Sequence, residues 1–191
     1  MSRTFWITLF IAFANSLSFT ILIPIIYLYS RQFGLNDFQT SLLFAIYAAS
    51  QFFATPVIGK LSDRFGRKPL LIISLTGTVI ANFLAGTATH ASMLFFARFL
   101  DGITGGNVSV AQAIISDITP PEGRARAFGM FAAVTFGLGF VVGPALSFAA
   151  QHLSLGTGFL VSSAIAFIAL VGTITNLPET LRTKADKARN I

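Results

Sequence analysis

Six apolar stretches, at residues 6–29, 40–59, 69–89, 92–116, 125–149 and 157–177, take up nearly the whole of this 191-residue chain. Each is long enough to cross a hydrocarbon core of roughly 30 Å, which needs about 20 helical residues. A backbone in lipid must satisfy its own hydrogen bonds, so only helices and closed barrels span. These runs are too long and too continuously apolar for barrel strands of about ten alternating residues. The pattern therefore predicts an all-α membrane protein with six transmembrane helices. Composition agrees, with 54% of residues hydrophobic and 10% charged, where a soluble domain carries about 25% charged. Residues 1–181 are expected to form one six-helix transmembrane bundle, and 182–191 a cytoplasmic tail or the start of a longer loop.

The 13 Lys and Arg residues are unevenly placed. One side takes Arg3; Lys60, Arg64, Arg67 and Lys68; Arg124 and Arg126; and Arg182, Lys184, Lys187 and Arg189. The other side takes only Arg31, and Arg98 lies inside the fourth run. Cytoplasmic loops carry the basic excess, so both termini are expected in the cytoplasm. The formal charge of +6 sits in loops and not on a soluble face, which points to anionic membrane lipid as a partner and away from nucleic acid. A competing reading takes Arg3, the apolar residues after it and Ala12-Phe13-Ala14 as a signal peptide and its cleavage site. The apolar run continues past that point to Tyr29, however, and cleavage would leave an odd number of spans with a broken charge pattern.

There is no cysteine, which removes disulfides, thiolate catalysis and cysteine-based metal sites together. The chain has no phosphate-cradling Gly-rich Lys motif and no His-Glu-x-x-His, and no nucleophile–base arrangement. No cofactor, metal or catalytic residue is expected, and the chain does not read as an enzyme. His90 and His152 fall in short outer loops as solvated spacers.

Polar groups inside apolar runs are costly unless they face a protein interior or a cavity, which makes them the site candidates. In the first run Asn15 and Ser18, three apart on one face, point to a cavity ahead of a kink at Pro24; Ser16 and Thr20 fit equally well bonded to their own helix. In the second, Gln51 shares a face with Phe44, Ala48 and Thr55, and Pro56 is expected to break the helix before the charged segment. The turn at 32–38, with Gly34 and Asn36-Asp37, should cap the second helix. Pro69 suits the start of the third.

Taken as one helix of 3.6 residues per turn, the fourth run places Arg98, Asp101, Gly105, Ser109 and Gln112 on a single stripe. Arg98 lies too deep for free solvation, and Asp101 one turn away neutralises it. The pair reads either as a structural feature with Arg98 snorkelling outward or as a cavity-facing coupling group. Continuation of the stripe through Ser109 and Gln112 favours the second.

Gly59, Asp63, Arg64, Gly66, Arg67 and Lys68, between the second and third runs, resemble the signature loop of the major facilitator superfamily of secondary transporters. Leu94, Arg98 and Gly102 with Gly105-Gly106 are similar to the fourth-helix motif of its drug–proton antiporters. Gly139, Gly143 and Pro144 resemble their fifth-helix motif, although Ser147-Phe148 stands where two further glycines are usual. Residues 115–129 resemble the loop between the fourth and fifth helices, and Leu177-Pro178-Glu179-Thr180-Leu181 the segment that ends the first half of many members.

The resemblance implies the N-terminal half of such a transporter, a 3+3 inverted repeat, of the tetracycline-type or multidrug efflux kind. It would work by alternating access in a bacterial inner membrane, with a small-molecule substrate and protons as ligands. Its partner would be a second six-helix half, or another chain in a homo- or heterodimer. The 59–68 loop would act as the conformational switch, with Arg98, Asp101, Asn15, Gln51, Ser109 and Gln112 lining the cavity or coupling to it. Gly139, Gly143 and Pro144 would serve helix packing. The family commonly has glutamine where Asp101 stands, and tetracycline-type exporters often have aspartate where Asn15 stands. Asparagine carries no proton, which leaves Asp101 as the only acid within the six runs for coupling. A sugar or metabolite uniporter or symporter, and a truncated membrane protein that only assembles with other chains, are the alternatives.

Overall fold

The computed structural model describes residues 2–181. The expected tail, with Arg182, Lys184, Lys187 and Arg189, lies outside the described residues. Among the described residues all regular structure is helical. Helices α1 (Arg3–Thr20) and α2 (Leu22–Gln32) form a nearly continuous rod of 30 residues. It hesitates at Ile21, slightly ahead of Pro24, because the missing proline N–H leaves the Thr20 carbonyl, four residues earlier, without its helical donor.

Helix α3 (Asp37–Phe65) opens on a capping box. The Gln39 N–H donates to Asn36 Oδ1 at 2.9 Å, and the Asn36 N–H donates to Gln39 Oε1 at 3.0 Å, satisfying two orphan donors at once. Contrary to the sequence expectation, Pro56 does not end this helix, whose 29 residues run through it to Phe65. Membrane helices absorb proline where nearby Ser or Thr side chains adjust the local bonding, and here the Thr55 hydroxyl donates to the Gln51 carbonyl at 2.7 Å. The charged segment from Lys60 to Arg64 is consequently helical, and the expected loop reduces to Gly66 between α3 and α4 (Arg67–Gly86).

The larger departure lies in the fourth run, which was expected as one helix over 92–116. It is two helices in series, α5 (Ala91–Thr104) and α6 (Asn107–Ile118), interrupted at Gly105-Gly106. Adjacent glycines carry the weakest helix propensity after proline, and the Gln51 amide of α3 donates to the Gly105 carbonyl at 3.0 Å, replacing the bond that the break removes. The chain then passes through α7 (Arg124–Ala132), a π-helical segment at Ala133–Leu138, α8 (Gly139–Gln151) and α9 (Thr157–Asn176). Five helical stretches among the described residues are long and apolar enough to cross a membrane; α5 and α6 together make the sixth crossing.

α9 packs on α4 and α1, and α5 on α3 and α4. Leu71, Leu75 and Ile114 centre one buried cluster; Ile25, Leu94 and Phe159 a second; Phe5, Ile115 and Phe131 a third. Hydroxyls join the helices as they do in bilayers, where apolar side chains gain little by leaving lipid. Ser18 donates to the Ser162 carbonyl at 2.9 Å, and Ser162 to that of Ser18 at 2.8 Å. Tyr29 donates to Ala85 O at 3.0 Å. Against this pattern, Phe52 and Phe53 of α3 stand 73% and 72% exposed, a surface suited to lipid or to another helix.

Candidate functional site

Gly66 sets the turn between α3 and α4. Its φ is +113°, outside the range that side-chain-bearing residues favour, and a Cβ there would fall 2.6 Å from Glu179 Oε2. That carboxylate caps α4: Oε1 accepts the Arg67 N–H at 2.9 Å and Oε2 the Lys68 N–H at 3.0 Å. It also accepts from the N–H groups of Thr180 and Leu181, each at 2.9 Å. The expected first-half terminus is thereby tied to the expected switch segment across more than a hundred residues.

Arg67, 8% exposed as a residue, gathers three groups with its guanidinium. It contacts Asp63 Oδ1 at 2.6 Å and donates to Asp117 Oδ2 at 3.0 Å and Ser62 Oγ at 2.7 Å. Arg64 instead points outward over the Phe65 ring, and Lys68 donates to the Ile174 carbonyl at 2.8 Å. Gly59 faces open space. Of the six expected switch residues, then, Asp63, Gly66, Arg67 and Lys68 are brought together, half-buried Gly59 joins them through its carbonyl, which accepts from the Ser62 hydroxyl at 2.8 Å, and Arg64 lies exposed. Asp117 and Glu179 complete the cluster; sequence reading placed both in resembling segments without assigning them a role.

Burial alone would raise the Glu179 carboxyl, but the four backbone N–H donors hold it below its ordinary value of 4.5. A carboxyl depressed by folding contributes stability that is complete above the unfolded value and is lost as pH falls through the folded one. Thermal unfolding in detergent should therefore show a Glu179-dependent loss of stability only below pH 4.5. In Glu179→Gln that acid-dependent component should be gone, with reduced stability at neutral pH. An unchanged acid slope in the variant would remove Glu179 from the effect.

Deeper in the bundle, Arg98 and Asp101 are 2% and 7% exposed. Arg98 donates to Asp101 Oδ2 at 3.0 Å and lies 4.2 Å from the centre of the Tyr47 ring, so that the cation has both a counter-charge and a π-face. Its Nε has no partner among the described residues. Gly102, one residue beyond Asp101, lets α5 approach the α3 backbone, where a Cβ would fall 2.5 Å from the Tyr47 carbonyl. On the far side of the break, Asn107 donates to Asn15 Oδ1 at 2.6 Å and Thr78 Oγ1 at 3.3 Å. A polar cavity of about 20 Å³, lined by Asn15, Tyr47, Thr78, Asn82, Asp101 and Asn107 among others, has room for about one water.

The break overturns the single stripe. Arg98 and Asp101 belong to the buried cluster, whereas Ser109 and Gln112, on α6, line a separate open groove of about 770 Å³ with Gln51, Thr55 and Phe136. The physical reason is that a helix interrupted at Gly105-Gly106 no longer carries one 3.6-residue phase along its length. Gln51 and Gly105 border both spaces, so the Gln51–Gly105 bond stands as the partition between groove and cluster. Ser18, expected at a cavity, does border the small polar one beside Asn15, while its hydroxyl donates to the Ser162 carbonyl of α9. Tyr47, Thr78, Asn82 and Asn107 were not singled out in the sequence; a search for isolated amides in apolar runs would have found Asn82 and Asn107.

The fifth-helix residues do pack as a small face. Gly139 and Gly143 lie beneath Ser16 and Thr20 of α1, and Thr20 donates to the Gly139 carbonyl at 2.8 Å. Pro144 lies within α8.

Comparison with known proteins gives these features a family context. Residues 8–190 match the family model described as Major Facilitator Superfamily. The chain is 35% identical over 183 residues to "Tetracycline resistance protein, class E" of Escherichia coli, covering 94% of this chain and 45% of that protein. It is 30% identical over 174 residues to "Multidrug resistance protein 2" of Bacillus subtilis (strain 168), covering 91% and 42%. The crystal structure of the human organic anion transporter MFSD10 (TETRAN) superposes with a TM-score of 0.84 at 22% identity, over 95% of this chain and 49% of that one, a likeness of fold. The chain spans about half the length of the curated relatives it matches.

Proposed function

The chain belongs to the major facilitator superfamily, and we propose that it works as the N-terminal half of a proton-coupled efflux antiporter for small, largely apolar molecules. The observation that carries this reading is the interrupted fourth crossing, with a buried Arg98–Asp101 pair on one side of the break and a groove on the other. Interrupted helices near the bilayer midplane are where transporters bind substrates and coupling ions, and ionisable groups inside a membrane are retained for function far more often than for packing. That relatives are named as tetracycline and multidrug resistance proteins supports outward transport.

In this mechanism the groove beside Gln51, Ser109 and Gln112 is one wall of the substrate path. Asp101 takes a proton on its carboxylate, which cancels its charge and releases Arg98 from its ion pair; loss of that proton re-forms the pair. Opening of the Gln51–Gly105 partition connects the two spaces. At the other end of α3, the Asp63–Arg67–Asp117 cluster holds one arrangement of the α3–α4 turn, and Asp63 remains accessible to a second half as the bundles rock. The setting is a bacterial inner membrane with both termini in the cytoplasm.

Vesicles containing only this polypeptide as a monomer should show no pH-driven accumulation of tetracycline, because the groove has one wall. Co-assembly with a second six-helix half, or a homodimer, should restore it. Saturable, gradient-driven transport by a demonstrated monomer would overturn the half-transporter reading.

A further inference from the structure

A second groove, remote from the buried pair, runs between α1 and α9. Its volume is about 710 Å³, and its walls include Trp6, Phe10, Ile168 and Val171. These side chains are exposed, Trp6 by 53% and Ile168 by 57%. Arg3, Thr175 and Asn176 close one end. The floor includes Gly172, at which a Cβ would meet nothing within 4 Å. The groove is therefore a trough with a basic, polar mouth and an apolar body, bordered by a tryptophan of the kind that settles at the headgroup level.

The charge at the mouth specifies the occupant. Arg3 is exposed and forms no ion pair among the described residues. Lys68 reaches the same end of α9, where its ammonium donates to the Ile174 carbonyl. We propose that this trough binds one anionic phospholipid, with its phosphate held at Arg3 and one acyl chain lying along α1 and α9 over Gly172. A zwitterionic lipid would bring the same chains but no net charge to answer Arg3.

Trp6 is the single tryptophan of the chain, so its fluorescence reports this site alone. The experiment places the full chain in phosphatidylcholine vesicles doped with either brominated phosphatidylglycerol or brominated phosphatidylcholine, and compares quenching of Trp6. A basic residue near the surface favours anionic lipid by about fivefold, so phosphatidylglycerol should quench with several-fold higher apparent affinity. Two variants separate a site from general attraction. Arg3→Gln should bring the preference close to one. Gly172→Leu should do the same while keeping every charge, by filling the acyl trough from a position where the new side chain meets open space. Helix content by circular dichroism serves as the folding control for both. Equal quenching by the two lipids in the parent, or a preference that survives Gly172→Leu in folded protein, would overturn the proposal and leave only unspecific attraction to the membrane surface.

Discussion

Replacing Asp101 by Asn, or Arg98 by Ala, should each cost about 3–5 kcal/mol of stability, because removing one member of a buried pair leaves the other charge uncompensated. Arg98 and Asp101 are 2% and 7% exposed, and among the described residues neither forms a second ion pair. The double variant Arg98→Ala/Asp101→Ser removes both charges and should cost less than the two single losses added, with an interaction energy of about 1–3 kcal/mol. Reversible unfolding of the four proteins in detergent measures the cycle. Single losses that add to within about 0.5 kcal/mol would show that the two residues act independently.

The second large effect belongs to Arg67. Its guanidinium holds Asp63, Asp117 and Ser62 at once, and hydrogen bonds to charged groups are worth about 1.5–3 kcal/mol each before relaxation. Arg67→Ala should destabilise the α3–α4 turn by about 2–3 kcal/mol on that scale, leaving the part-buried Asp117 carboxylate without its partner. Arg67→Lys should recover only part of it, since an ammonium lacks the planar fork. Asp63 is different: its side chain is 63% exposed, and an exposed ion pair contributes about 0–1 kcal/mol. Asp63→Asn should therefore leave folding and insertion nearly intact while impairing transport in the assembled protein. Equal destabilisation by Asp63→Asn and Arg67→Ala would contradict this division between a structural anchor and a switch contact.

The crossings were legible because length and continuous apolarity are local properties of a sequence, and the pairing of Arg98 with Asp101 because three residues on a helix always place neighbours on one face. The cap at Asn36 followed from the same local logic. The interruption at Gly105-Gly106 was not legible, because glycine pairs also serve close helix packing, and the partner that makes the break tolerable, Gln51, comes from another helix 54 positions away. Pro56 misled for the matching reason: proline's tendency to end helices was outweighed by a membrane helix long enough to continue past it. The groupings of Arg67 with Asp117 and of Glu179 with the α4 N-terminus depend on tertiary proximity, which no spacing rule encodes. Asn15 and Asn107 likewise meet only because α1 and α6 pack together.

The role of Asp101 is tested most directly by transport in vesicles that hold the assembled transporter, driven by an imposed pH gradient. The comparison is between the parent and the Arg98→Ala/Asp101→Ser variant, once unfolding has shown that the variant is folded. If Asp101 carries the coupled proton, the folded double variant loses gradient-driven accumulation of substrate while downhill movement persists. Accumulation with the same dependence on the pH gradient as the parent would contradict that role and leave Arg98–Asp101 as a pair that only holds the bundle together.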